Sequence, residues 1–307
     1  MAAQQILSRP QATAMSSQIQ TDARTLHSSD GTVIFAEATG SPKNPSVVLI
    51  SGLSLSGCVF DDLCADPRLL EKLYIVRYDV RGHGRSGKPT TETAYESKMF
   101  ADDFKTVTDA FKLVRPVLAG WSMGSAMATD VAAHLPPATL SGVVYLAGVP
   151  CTGEILGELA GPGVANALPG LITTTDVVTF QKSSALFVDK VFAAPEKVPY
   201  KIWCLHAGHS LTPEIMTLTL GRKMDIEPLR QAGKEGLPLL IIQGTADGHR
   251  VGAQKTVEEV MKPYFKNFEC IWLEGRGHAL HVECPDDIVR PLIRFTESYG
   301  GKDYRGA

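Results

Sequence analysis

Val117-Leu118-Ala119-Gly120-Trp121-Ser122-Met123-Gly124-Ser125-Ala126 reads as a strand, a sharp turn and the start of a helix. The run into Ala119 is short and apolar, as a buried parallel strand requires, and the residues after Ser122 are rich in Ala and Met, which favour helix. Between them stands a Gly-x-Ser-x-Gly pattern, Gly120 to Gly124. A serine in such a turn takes a strained backbone conformation to project its hydroxyl, and the flanking glycines let strand and helix approach closely enough to hold it. The helix start then lies beneath the hydroxyl. Its free N–H groups and the positive end of its dipole favour the negative charge that develops on an attacked carbonyl. Ser122 is therefore the candidate nucleophile. The pattern is short, and its weight comes from the strand before it, the helix behind it and the partners farther along the chain.

Outward from this turn, strands and helices alternate. Upstream, Ser46 to Ile50 and Leu73 to Tyr78 read as buried strands, with a short helix around Pro67 to Lys72 between them. Ala94 to Leu113 reads as an amphipathic helix with Phe100, Phe104, Val107 and Phe111 on one face. Residues 25 to 40, around the turn pair Asp30-Gly31, read as an antiparallel hairpin at the sheet edge. Downstream, the helix from Ser122 ends near Leu135-Pro136-Pro137, and Leu140 to Leu146, Leu237 to Ile242 and Phe268 to Leu273 read as strands. Gly252 to Met261 and a segment opened by Pro285 read as helices. This alternation implies right-handed crossovers and an α/β fold, a mostly parallel central sheet with helices on both faces.

The rhythm breaks at Gly148-Val149-Pro150-Cys151. From 151 to 235 there is no buried-strand pattern, only helical stretches divided by Pro195, Pro199 and Pro213. The segment is read as a helical cap whose apolar residues, Phe180 and Phe187 among them, pack onto the body and roof a pocket. The expected organisation is a disordered tail over 1–24, a core over 25–150 and 236–300, and a cap over 151–235.

With 307 residues, 44% of them hydrophobic, the chain can bury one large core. A net charge of −3 and a pI near 6.2 argue against a nucleic-acid or anionic-membrane partner. Cys58, Cys64, Cys151, Cys204, Cys270 and Cys284 lack paired CxxC spacing and read as reduced thiols. No apolar run is long enough for a membrane span, and the first residues lack the apolar segment of a secretory signal, so a cytoplasmic location is expected. Met1 to Thr21, without acidic residues, resembles a transit peptide in composition but is read as disordered.

Suitable partners for Ser122 follow two later strands. Asp247 lies in Gln243-Gly244-Thr245-Ala246-Asp247-Gly248-His249, and His278 in Glu274-Gly275-Arg276-Gly277-His278-Ala279-Leu280-His281. Both stand at carboxyl ends of strands, on the sheet edge that carries Ser122, so three loops converge on one crevice. A fourth loop, Ser51-Gly52-Leu53, can bring the Leu53 amide to the same place. Other readings are weaker. Gly82 with Gly87-Lys88 approaches a phosphate loop, but Pro89 replaces the hydroxyl that would hold Mg²⁺. His83 precedes the nucleophile, against the order expected, and His249 stands too close to Asp247 to replace His278. Arg81 and His83 read as structural. His278, His281 and Glu283, or His206 and His209, match no metal-binding helix pattern, and no metal is expected.

The order Ser122, Asp247, His278 is that of the triad carried by strand-turn-helix serines. With Tyr78-Asp79-Val80-Arg81-Gly82-His83-Gly84-Arg85-Ser86, Gly244-Thr245-Ala246-Asp247 and Gly277-His278 followed by Glu283-Cys284-Pro285, the chain resembles the α/β-hydrolase superfamily over residues 25 to 300. The resemblance is to its cap-bearing branch of esterases, C–C hydrolases, perhydrolases and epoxide hydrolases. It implies that Ser122 attacks, His278 is the base, Asp247 orients it, and the N–H groups of Leu53 and Met123 bind the oxyanion. Two departures stand out. Ser51-Gly52 replaces the usual His-Gly before the oxyanion loop, and serine at the nucleophile position argues against an epoxide hydrolase, which would carry aspartate. The implied function is a cofactor-independent serine hydrolase acting on an ester or lactone of a mainly apolar small molecule. The alternatives are a C–C hydrolase or perhydrolase with the same triad, or a small-molecule receptor on the same fold.

Overall fold

The structure is a computed structural model that describes residues 21–207, 211–249 and 252–306. Its strands are β1 (Asp22–His27), β2 (Val33–Gly40), β3 (Ser46–Ile50), β4 (Tyr74–Tyr78), β5 (Val117–Trp121), β6 (Gly142–Leu146), β7 (Leu239–Gly244) and β8 (Phe268–Leu273). They form one eight-stranded sheet in the order β1-β2-β4-β3-β5-β6-β7-β8. From β4 to β8 neighbouring strands are parallel, while β1 and β2 join as an antiparallel edge. The fold is thus α/β, with a mostly parallel central sheet and helices on both faces.

The sequence dictates this through period-two alternation in strands covered on both sides. In β3, Val48 and Ile50 face one core and Val47 and Leu49 the other; in β5, Leu118 faces the first while Val117, Ala119 and Trp121 face the second. The first core is closed by Phe100, Phe104 and Val107 of the helix Ser97–Ala110 with Met127 and Val131 of the helix Met127–His134. Ile288, Leu292 and Phe295 of the helix Pro285–Tyr299 close the second.

Two boundaries differ from the sequence reading. β1 begins at Asp22, inside the stretch assigned to the tail, because the ladder to β2 continues through Arg24↔Ala36 to Asp22↔Ala38. An edge strand half open to solvent lacks the apolar run that marks a central one. Residues 1–20 of that tail lie outside the described residues. The helix expected from Ala94 is instead a 3₁₀ turn over Glu92–Tyr95, an extended Glu96 with ψ 146°, and the helix Ser97–Ala110. Ser97 Oγ donates to the buried Asp130 carboxylate at 2.6 Å, which ties the helix start to the neighbouring helix.

β6 and β7 pair directly, so the segment between them leaves the sheet and returns to it without adding a strand. It holds the helices Glu154–Leu159, Pro162–Leu171, Val177–Asp189, Tyr200–Ala207, Pro213–Leu220 and Glu227–Glu235. Asp176 and Thr212 cap two of them by accepting from the Thr179 and Ile215 amides. The insertion is anchored where Thr152 Oγ1 donates to the Arg222 carbonyl at 2.7 Å and the buried Arg222 guanidinium pairs with Asp130 at 3.4 Å. Among the described residues, no helix is long and apolar enough to cross a membrane.

Candidate active site

Ser122 is the first residue after β5, and its φ of 54° lies in the left-handed region that a side chain rarely adopts. The two glycines make that turn possible. A Cβ on Gly120 would lie 2.3 Å from the Ser125 backbone, and one on Gly124 would lie 2.2 Å from the Ile50 carbonyl oxygen. Ser125 Oγ donates to the Gly120 carbonyl at 2.6 Å and closes the turn from within. A short 3₁₀ segment, Ser122–Ala126, leads into the helix Met127–His134.

Asp247 follows β7 and His278 follows β8, both at the carboxyl ends of parallel strands. Their side chains are buried and meet, with His278 Nδ1 2.8 Å from Asp247 Oδ2. Asp247 also accepts from Gln243 Nε2 at 2.9 Å and from the His249 amide at 2.9 Å. Burial acts to raise the Asp247 pKa, but His278, His249 and Gln243 more than offset it and hold the group below the ordinary carboxylate value. An ionised carboxylate only accepts, so Nδ1 of His278 carries the shared proton, and Nε2 is the ring nitrogen left facing away from Asp247. That buried Nε2 has no hydrogen-bond partner among the described residues.

Ser122 and His278 line one cavity of about 250 Å³. Apart from His249, its remaining wall is apolar, with Leu53, Met123 and Val149 from the core and Leu168, Phe187 and Leu220 from the insertion. Gly52 lies over the turn so closely that a Cβ there would be 3.0 Å from Ser122 Cβ. Ser51 Oγ, at the position where the resemblance leads one to expect histidine, donates to the Leu55 carbonyl at 3.0 Å and folds this loop back on itself. The loop therefore carries Leu53 to the cavity, beside Met123, which follows the serine.

Other singled-out residues lie elsewhere. Arg81 is fully buried and donates to Asp103 at 2.7 and 2.6 Å and to Asp30 at 2.9 Å. His83 Nδ1 lies 3.0 Å from the Arg81 carbonyl. The Gly82–Pro89 loop is held by Asp79, which accepts from the amides of Gly57 and Arg85 at 2.8 Å each. The Glu283 carboxylate accepts from the amides of Gly277 and Ala193, while His281 packs between Phe60 and Trp121. Among the described residues no group of three or more His, Cys, Asp or Glu side chains could hold a metal ion, and His209 lies outside them.

Three further residues surround the triad: Trp121, whose sequence reading left core packing or a substrate contact open; His249, read only as a weak rival base; and Gln243, which was given no role. Trp121 Nε1 donates to the His278 carbonyl at 2.8 Å. Gln243 supports Asp247, and its signal was a polar residue closing the apolar run of β7. His249 lines the cavity, and its ring packs against that of His278 with centroids 4.8 Å apart and a 47° tilt between the planes; nothing in its local sequence announces that.

Known proteins share this arrangement of chain. The solved esterase RhEst1 from Rhodococcus sp. ECU1013 superposes with a TM-score of 0.76 at 26% identity, covering 91% of this chain and 99% of that one. 2-Hydroxy-6-oxo-6-phenylhexa-2,4-dienoate hydrolase from Rhodococcus sp. strain RHA1 superposes with a TM-score of 0.70 at 18% identity, covering 90% and 99%. EphD of Mycobacterium tuberculosis is 40% identical over 94 residues, which are 31% of this chain, so the match spans only 16% of that relative. Residues 47–290 match the profile of the alpha/beta hydrolase family, and the chain belongs to that family.

Proposed function

We propose that the protein is a serine hydrolase that cleaves a carboxylic ester or lactone of a mainly apolar small molecule through an acyl-enzyme, with no cofactor required. The observation that carries this reading is that Ser122, on its strained turn, opens into the same apolar cavity as a His278 whose Nδ1 is engaged by Asp247 and whose Nε2 is unengaged.

In this reading His278 Nε2 takes the Ser122 proton as Oγ attacks the substrate carbonyl. Asp247 fixes the imidazole tautomer and stabilises the imidazolium. The N–H groups of Leu53 and Met123 bind the oxyanion, each contributing on the order of 10² to 10³ in rate. Collapse expels the alcohol, which takes the proton back from His278; in a lactone it remains tethered to the acyl group. Water, deprotonated by the same histidine, then attacks the acyl-enzyme and releases the acid and Ser122. The insertion over 151–235 acts as the cap that keeps bulk water from the acyl-enzyme.

The wall of the cavity supports an uncharged substrate. The structurally similar C–C hydrolase is named for a dienoate, an anion, whereas no lysine or arginine lines this cavity among the described residues. An ester is also in keeping with the likeness to RhEst1. The test is hydrolysis of p-nitrophenyl esters from acetate to long chains by wild type and Ser122→Ala in parallel. Turnover that vanishes with the substitution is expected; equal turnover in the variant, or none by wild type on any ester or on alkyl lactones of matching size, rules the reading out.

A further inference from the structure

His249 stands where the insertion meets the acid and the base. Its amide donates to Asp247 Oδ1 at 2.9 Å, and its ring packs between His278 and Phe187, with centroids 4.8 and 4.4 Å away. Its Nε2 lies 2.8 Å from the Phe187 carbonyl. A carbonyl only accepts, so Nε2 carries a proton and donates it. Phe187 belongs to the inserted helix Val177–Asp189.

The start of the helix Pro162–Leu171 grips His249 and its neighbour Gly248. The Gly161 amide donates to the His249 carbonyl at 2.7 Å, and the Gly163 amide to the Gly248 carbonyl at 3.2 Å. A Cβ on Gly163 would lie 2.9 Å from His249 Cδ2, and one on Gly161 would lie 2.8 Å from the Gly248 oxygen. Glycine at both positions thus lets the insertion close directly onto the turn after Asp247. The same insertion also reaches the base directly, since the His278 and Ala279 amides donate to the Val191 carbonyl at 2.8 and 3.1 Å. Outward movement of the helices therefore pulls on the His278 backbone through Val191 and on the His249 ring through Phe187.

We infer that His249 is a positioning residue that couples docking of the insertion to the angle of the His278 ring: held to the Phe187 carbonyl, its ring braces His278 only while the insertion is closed. The inference rests on the serine-hydrolase reading for its kinetic consequence, though not for its structural one. It also explains why an imidazole suits this place, since the ring must brace on one side and donate on the other.

Two substitutions separate these roles. His249→Ala removes ring and donor; His249→Phe keeps a ring and removes the donor. The proton shared by His278 Nδ1 and Asp247 is followed by its downfield NMR resonance, amide exchange is followed in residues 177–189, and kcat and KM are measured on a short and a long p-nitrophenyl ester. For Ala, kcat is expected to fall by about 10- to 100-fold on both esters with KM little changed, and the resonance to broaden. For Phe, exchange in 177–189 is expected to stay faster than in wild type, and the resonance and kcat to recover only in part, because a ring is present but no longer held to Phe187. A sharp wild-type resonance in the Ala variant, a Phe variant no better than Ala, or unchanged exchange in both would each overturn the inference. Resonance and exchange need no turnover, so they decide it even if Ser122→Ala retains activity and the serine reading itself fails.

Discussion

Trp121, the last residue of β5, donates its indole N–H to the main-chain carbonyl of His278, 157 positions later, at 2.8 Å. The residue before the candidate nucleophile therefore holds the backbone of the candidate base, and the two strand-end loops cannot drift apart independently. Its ring also meets the edges of the buried His206 and His281. Position 121 is one of the two variable places in the Gly-x-Ser-x-Gly pattern, and here it serves as a brace.

Trp121→Phe retains an aromatic ring but orphans the buried carbonyl and loses volume, so a stability loss of about 2 kcal/mol is expected by denaturant unfolding. If the bond positions His278, kcat on p-nitrophenyl esters falls roughly tenfold with KM unmoved. A variant that loses stability but keeps wild-type kcat would reduce Trp121 to a packing role.

Ser122 stands at a φ of 54°, which suits glycine far better than any side chain. Comparing Ser122→Gly with Ser122→Ala isolates that strain, because both lack the hydroxyl and only Gly relaxes the backbone. The Gly variant is expected to be more stable than the Ala variant by about 1 kcal/mol, the strain relieved less the entropy gained by the unfolded chain. Both are expected to be inactive. Equal stabilities would mean that the turn stores no such strain.

What the residues disclosed, and what they did not, follows from the range of each interaction. β3, β5 and β7 are covered on both faces, so each appears as an unbroken apolar run. Ser122, Asp247 and His278 could be assigned because each stands just past such a run, where a parallel sheet gathers its loops. The first strand was harder to delimit, since Asp22 and Ala23 pair through backbone groups alone at an exposed edge. The place of His249 depends on Phe187, 62 residues away in the insertion. Neither periodicity nor spacing carries information about how that insertion docks.

His83 is buried, and burial pushes its imidazole down to about 4, against the smaller raising effects of the Arg81 carbonyl and Asp79. Burial also lowers His206 and His281. Between pH 6.5 and about 4 the unfolded chain binds a proton at position 83 that the folded chain refuses, so stability rises with pH across that window and is lost as pH falls through it. For His83 alone the loss is on the order of 3 kcal/mol at most. Asp130 works in the opposite sense. Burial raises its carboxyl to about 6 against Arg222 and Ser97, so its contribution declines as pH rises to that value. His83→Gln therefore gives the clean comparison. Its unfolding free energy is expected to vary less steeply between pH 4 and 6.5 than that of wild type, and parallel pH profiles would show that His83 titrates normally in the folded chain.

Gly157 lines the cavity from the inserted helix Glu154–Leu159, and a Cβ built there meets nothing within 4 Å. Gly157 is itself exposed, so a side chain added there meets no neighbour and extends from the cavity lining. Gly157→Ala is expected to stabilise the protein by up to about 1 kcal/mol through helix propensity, with short esters turned over as before. Gly157→Leu should instead enlarge that lining. A pocket wall that advances by a few carbon atoms discriminates by about tenfold or more between substrates that fit and those that do not, so KM for a long-chain p-nitrophenyl ester is expected to rise by that factor while acetate is unaffected. The chain-length optimum then moves to shorter acyl groups. Equal losses on acetate and on the long-chain ester would mean that the acyl group lies elsewhere, and that the larger side chain had disturbed the docking of the insertion instead of shortening the pocket.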